Sequence, residues 1–215
     1  MLTVWCVCVG DKYGAGDVRI LQDMVARNLD RPHRFRCLTD VDIAGVDCFT
    51  PDENWPGWWS KLLLFRYSSG PSLYLDLDVV IVGNLDRLLS DTLSMPANWA
   101  QSGHGGCQSS VMAWHGDYSF IADRFNPEYL ATPERGNCGA YGPNKLWGDQ
   151  EYITSILGNP GAIIEPMGHI YSYKYHARES VPEDASVICF HGEPKPEQVQ
   201  AEWITKARSS TATAA

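Results

Sequence analysis

The chain has 215 residues, 44% of them hydrophobic, with a formal net charge of -9 and a pI near 5.0. That length supports one sizeable core and leaves little room for a second domain. The acidic total argues against a broad nucleic-acid-binding surface, although a local basic groove does not show in a sum.

Residues 3–9 read as a first, buried strand, apolar but without a basic leader and too short to span a bilayer. No longer apolar run follows, so the chain reads as soluble, without a signal peptide or transmembrane segment. A Gly-rich loop over 10–16 leads into helix-period apolar positions from Val18 to Leu29. Phe35–Leu38 reads as the next strand, with the polar exit Thr39-Asp40, and Val46–Phe49 as a third. Apolar residues then recur at helical spacing from Trp58 to Tyr67, before the turn signal Ser69-Gly70-Pro71. Strands alternating with helices imply right-handed crossovers and a mixed, mainly parallel Rossmann-like sheet flanked by helices, an α/β fold.

The run from Leu73 to Val82 is strand-like and apolar, yet Asp76 and Asp78 interrupt it. A carboxylate buried in a sheet without a counter-charge is costly, so a cation must balance each of them. On an extended strand an Asp-x-Asp pair directs both side chains to one face, where two oxygen ligands can meet Mn²⁺ or Mg²⁺. Taken alone, the pair fits equally a strand end neutralised by Lys or Arg.

From Trp99 onward the pattern is mixed. Short strands are expected near Trp99–Gln101 and Ser110–Trp114, and a helix over Asp117–Phe125. A Gly/Pro-rich loop over Asn126–Asn144 is longer than ordinary connections and is a candidate acceptor or lid loop. A helix over Trp147–Leu157, strands around Ala162–Glu165 and Ser186–Phe190, and a helix over Pro196–Arg208 close the domain, with a flexible tail at 209–215. Seven cysteines (Cys6, Cys8, Cys37, Cys48, Cys107, Cys138 and Cys189) lack a paired C-x-x-C spacing and fit a reducing, cytoplasmic setting. Cys6 and Cys8 share one strand face and read as small core residues.

Chemistry-bearing residues gather at predicted strand ends. The loop after strand one and the exit of strand two place Gly10, Asp11, Tyr13 and Asp40 at the crevice where such sheets bind ligands. An apolar strand delivers His191 to its polar end, where Gly192 permits close backbone approach and Lys195 can reach a phosphate. A neutral imidazole from this distant segment would complete a metal site begun by Asp76 and Asp78. Asp149 begins a helix, where the dipole stabilises a carboxylate, so it reads either as a cap or as a site acid.

The order of helix, turn, apolar strand, acidic pair, second apolar strand and Asn84-Leu85-Asp86 resembles the metal-dependent GT-A glycosyltransferases. It is most similar to the glycogenin and galactosyltransferase-like (family 8-type) group, which sets its Asp-x-Asp motif in Tyr-Leu-Asp-x-Asp, here Tyr74 to Asp78. The segment from His191 to Pro196 resembles that group's His-x-x-Gly-x-x-Lys-Pro, although here Gly192 directly follows His191. Gln108 to Met112 resembles its Asn-Ser-Gly-Val-Met segment, with Ser110 in place of Gly.

This resemblance implies one GT-A domain over 1–208, with a donor-binding part at about 1–90 and an acceptor-side part at about 91–208. It implies a UDP-hexose donor, with Mn²⁺ or Mg²⁺ held by Asp76, Asp78 and His191. Gly10, Asp11, Tyr13 and Asp40 would contact base and ribose, and an aromatic residue would stack near uracil. Lys61 and Arg66 would face the diphosphate or a pocket acid, and Gln108 would line the sugar. Asp149 would hold sugar hydroxyls, Gln150 would lie near the anomeric carbon, and Gly192 and Lys195 would meet the diphosphate. Retention is implied; an inverting enzyme would need Asp149 or Glu151 as base. The acceptor is open among a glycan, a lipid-linked sugar, a protein side chain and a hydroxymethylated DNA base, the last if Arg124, Arg135, Lys145, Lys174 and Arg178 cluster. Two other readings compete. One is a nucleotide-sugar or carbohydrate-binding module, for which eight tryptophans and ten tyrosines offer stacking surfaces. The other is a metal-dependent nucleotidyl or phosphoryl transferase built on the same acidic pair.

Overall fold

The computed structural model describes residues 1–53, 55–99, 106–126, 148–157 and 165–209. Its strands in chain order are β1 (Leu2–Cys8), β2 (His33–Thr39), β3 (Asp47–Phe49), β4 (Ser72–Leu75), β5 (Val79–Ile81), β6 (Ser94–Met95), β7 (Val111–Trp114), β8 (Glu165–Pro166), β9 (Ile170–Ser172) and β10 (Val187–Cys189). The helices are α1 (Ala15–Asn28), α2 (Leu64–Tyr67), α3 (Phe120–Asp123), α4 (Asp149–Leu157), α5 (Tyr173–His176) and α6 (Glu202–Arg208).

Seven strands form one sheet in the order β3-β2-β1-β4-β7-β6-β8. Pairs β1·β2, β1·β4, β2·β3 and β6·β8 are parallel, while β7 runs antiparallel to β4 and β6. The expected mainly parallel α/β sheet is therefore present. A second sheet, β5-β10-β9, was not anticipated. Three-residue strands carry too little periodicity to announce their partners.

The apolar runs follow from burial on both faces. Along β1, Leu2, Val4, Cys6 and Cys8 enter one core with α1 and the small sheet, while Trp5 enters the other with α2, α3 and α4. Leu73 and Leu75 against Tyr74, and Val111 and Ala113 against Met112 and Trp114, alternate in the same way. A central strand covered on both sides reads as continuously hydrophobic because both of its faces are core.

Several expected elements are shorter than the pattern suggests. Trp58–Tyr67 is a 3₁₀ turn over Gly57–Leu63 followed by the single turn of α2. Five consecutive side chains, Trp59 to Leu63, are buried there. A segment enclosed on all sides is shaped by packing rather than by a one-sided helical stripe. The closing helix likewise divides into a 3₁₀ turn over Pro196–Gln198 and α6, because the chain re-extends at Val199 and Ala201. The helix expected over Asp117–Phe125 spans only α3, and Trp99 lies in no strand. Gln101, residues 127–147, 162–164 and the tail from 210 lie outside the described residues, and with them the acceptor loop beyond Asn126, Cys138, Arg135 and Lys145. The other six cysteines are free thiols, with Cys6 and Cys8 buried in the core as expected. Among the described residues no helix is long and apolar enough to cross a membrane.

Candidate active site

A cavity of about 500 Å³ opens where β1, β4 and β10 end. Carboxyl ends of strands are where open α/β sheets bind ligands. Its wall contains Asp76, Asp78, Lys61, Tyr13, Gln108, Asp149, Gln150, His191, Gly192 and Lys195, so segments far apart in sequence meet here.

The acidic pair does not lie on an extended strand, which corrects the expected geometry. β4 ends at Leu75, Leu77 and Asp78 form a turn, and β5 begins at Val79 in the other sheet. The turn is closed by Val79 N–H donating to Asp76 O at 3.4 Å. Switching sheets requires a break in the ladder, and the break leaves the two carboxylates with different partners. Asp76 accepts hydrogen bonds from Lys61 Nζ at 3.0 Å and from the Tyr74 hydroxyl. Asp78 accepts from Lys195 Nζ at 2.6 Å and from Tyr13 Oη at 2.9 Å.

The electrostatics differ accordingly. Burial pushes the Asp76 pKa up, but Lys61 and the Tyr74 hydrogen bond outweigh it, and the group is held below the usual carboxylate range. Asp78 is raised, first by burial and then by the negative charge of Asp76, with Lys195 and Tyr13 offsetting only part. Tyr13 is raised in turn by burial and by Asp78, so its phenol stays protonated and donates to that carboxylate. Tyr13, expected to contact base or ribose, is here a hydrogen-bond donor to Asp78.

Lys61 is buried at 5% side-chain exposure and also lies 3.3 Å from Asp149 Oδ2. Burial lowers its pKa, yet the charges of Asp149 and Asp76 prevail and hold it above the ordinary range. Asp149 opens α4 and accepts from Ser109 Oγ, so its carboxylate belongs to this network. Gln108 Oε1 accepts from Ser110 N–H at 2.6 Å and fixes the loop between them.

His191 lies beyond the end of β10, with Nε2 2.7 Å from Ser172 Oγ and its ring stacked between Trp99 and Tyr175 at centroid distances of 5.7 and 5.8 Å. Burial and then the charges of Lys174 and Lys195 lower its pKa, which keeps the imidazole neutral.

Four predicted residues lie elsewhere. Arg66 is spent on ion pairs with Glu53 and, at 2.9 Å, Asp123, away from the cavity wall. Gly10 donates to Asp40 Oδ2 at 3.0 Å, and Asp40 lines a neighbouring cavity of about 100 Å³ that shares Val9 with the larger one. Asp11 is exposed and lines neither. An Arg on a one-turn helix and acids in loops after strands carry no sign in sequence of which way they turn.

The cavity also contains Lys12, Trp58, Tyr74 and Ser109, none of which was singled out. Trp58 has a buried indole N–H with no acceptor among the described residues. Tyr74, inside the Tyr-Leu-Asp-x-Asp string, and Ser109, inside the Gln108 to Met112 segment, carried a signal that could have found them.

As the side chains stand, no three of His, Cys, Asp and Glu among the described residues are close enough to hold a metal ion. The donor chemistry nonetheless fits a hard divalent cation, because two mutually repelling carboxylates and a neutral imidazole face one cavity. In this arrangement Lys61 and Lys195 supply the positive charge.

No protein-family model and no curated protein sequence matches the chain. Solved structures do. The galactosyltransferase LgtC, solved with donor and acceptor sugar analogues, is similar at a TM-score of 0.64 with 15% identity over 99% of this chain and 97% of LgtC. The glycosyltransferase GlyE of Streptococcus pneumoniae is similar at 0.59 with 14% identity, over 91% of this chain and 55% of that one. The bifunctional glycosyltransferase WbbM is similar at 0.66 with 10% identity, over 98% of this chain and 50% of WbbM. The chain has the fold of the GT-A glycosyltransferases.

Proposed function

We propose that the protein is a glycosyltransferase of the glycogenin and galactosyltransferase-like kind, moving a sugar from a nucleotide-sugar, expected to be a UDP-hexose, to an acceptor hydroxyl. The observation that carries this reading is the convergence of Asp76, Asp78, His191, Lys195, Asp149 and Gln150 on one cavity at the carboxyl ends of the strands.

Asp76, Asp78 and His191 would hold Mn²⁺ or Mg²⁺, which when bound neutralises a diphosphate leaving group. Lys195, now the counter-ion of Asp78, is within reach of the same anion and is the ammonium that accompanies its departure. Lys61 and Ser109 fix Asp149 so that its free edge can hold sugar hydroxyls. Gln150, one residue further into α4, lines the same cavity and would lie near the anomeric carbon. The bond from the anomeric carbon to the phosphate oxygen breaks, and one from that carbon to the acceptor oxygen forms. In the retaining course the acceptor proton passes to the departing diphosphate. The acceptor is a glycan, a lipid-linked sugar, a protein hydroxyl or a hydroxymethylated base.

The test is chromatography of UDP- and GDP-sugars incubated with the protein and Mn²⁺, with and without a chelator. Metal-dependent release of nucleoside diphosphate supports transfer. Tight binding without turnover would replace it with a binding module, and release of a nucleoside monophosphate with nucleotidyl or phosphoryl transfer.

A further inference from the structure

Lys174 lies against Gly192, which stands three residues before Lys195 in the sequence. The glycine lines the cavity between His191 and Lys195 with a left-handed φ of 67°. A Cβ built on it would sit 3.1 Å from Nζ of Lys174. Lys174 belongs to α5, is half-buried, and has no carboxylate partner among the described residues. The other cations of the site are engaged. Lys61 lies between Asp76 and Asp149 at 3.0 and 3.3 Å, Lys195 is 2.6 Å from Asp78, and Lys12 stands 5.0 Å from the Tyr13 ring centroid.

A half-buried ammonium with no carboxylate partner is unfavourable until an anion arrives. Lysine recognises phosphate as a compact point charge, and two of them match two linked phosphoryl groups better than one does. We propose that Lys174 is a second phosphate-binding residue of this site, which with Lys195 grips the diphosphate of the nucleotide donor. The inference rests on the nucleotide-sugar reading above and deepens it, because it makes the site select nucleoside diphosphates over monophosphates. It also explains the glycine: a side chain at 192 would push the Lys174 amino group out of its place.

The experiment is calorimetric titration of the whole chain with UDP, GDP, UMP and inorganic pyrophosphate in Mn²⁺, comparing wild type, Lys174→Met and Lys174→Arg. Lys174→Met is expected to weaken the best nucleoside diphosphate and pyrophosphate about tenfold and UMP less than about twofold, with Lys174→Arg restoring most of the loss. Equal diphosphate affinity in wild type and Lys174→Met overturns the proposal, as does an equal loss for UMP and UDP or an Arg variant as weak as the Met one. Lys174-dependent binding of pyrophosphate without binding of either nucleoside diphosphate upholds the anion site and overturns the nucleotide-sugar reading. No binding of any of these anions by wild type overturns both.

Discussion

Lys61 places its ammonium 3.0 Å from Asp76 Oδ1 while only 5% of its side chain meets solvent. Its other neighbour is Asp149, so one buried cation holds two acids of the cavity wall, Asp76 and Asp149. Removing one partner of a buried ion pair leaves an uncompensated charge and costs about 3–5 kcal/mol. Lys61→Ala is expected to lower the unfolding free energy obtained by denaturant titration by that amount and to abolish turnover. A stability loss below about 1 kcal/mol, as for an exposed pair, would contradict this role.

Arg66 offers the opposite case. Its partners Glu53 and Asp123 have side chains 38% and 54% exposed, and pairs of that kind contribute about 0–1 kcal/mol. Arg66→Ala should therefore leave donor turnover unchanged and stability nearly so. Loss of turnover in a folded Arg66→Ala variant would return Arg66 to the site.

His191 holds its proton less tightly than a free imidazole, whose ordinary value is 6.5, because of burial and then the charges of Lys174 and Lys195. Between that value and the lower folded one, the unfolded chain binds more protons than the folded one. Stability thus falls as pH drops through this window and is unaffected by His191 above it. Proton NMR of the imidazole should give a midpoint below 6.5, and His191→Gln should flatten this part of the stability curve. A midpoint at or above 6.5 would rule out the described surroundings.

Gly83 follows β5, and a Cβ there would lie 2.5 Å from the Ala185 carbonyl oxygen and 3.4 Å from Ser186 Cα. Backbone atoms cannot turn aside as a side chain can, so Gly83→Ala is expected to cost about 1–3 kcal/mol. Gly70→Ala, with nothing within 4 Å, should be close to neutral by the same thermal melt. Equal effects at the two positions would show that β5 and its neighbour are not packed as described.

The long apolar runs were legible in the sequence because their periodicity reports burial. Leu73 to Leu75 and Val187 to Cys189 could only be covered strands, and Asp76, Asp78 and His191 stood out as polar groups at their ends. Less legible was what those ends do in space. The Asp-x-Asp string occurs on extended strands and in turns alike, and only the small sheet β5-β10-β9, with too few residues to show a pattern, forces the turn here. The partners of the acids, Lys61 and Tyr74 for one and Lys195 and Tyr13 for the other, depend on contacts remote in sequence. The same limit hid Lys12 and Trp58, each of which looks like an ordinary surface or core residue until the fold brings it to the cavity.

The most direct measurement is nucleotide release from UDP- and GDP-sugars in Mn²⁺ by wild type and by Asp78→Asn, with folding of both verified by circular dichroism. Release by wild type that falls about 100-fold or more in Asp78→Asn is the predicted result, as expected when a group that stabilises leaving-group charge is removed. Equal release by the two proteins, or none from any donor by folded wild type, would contradict the account.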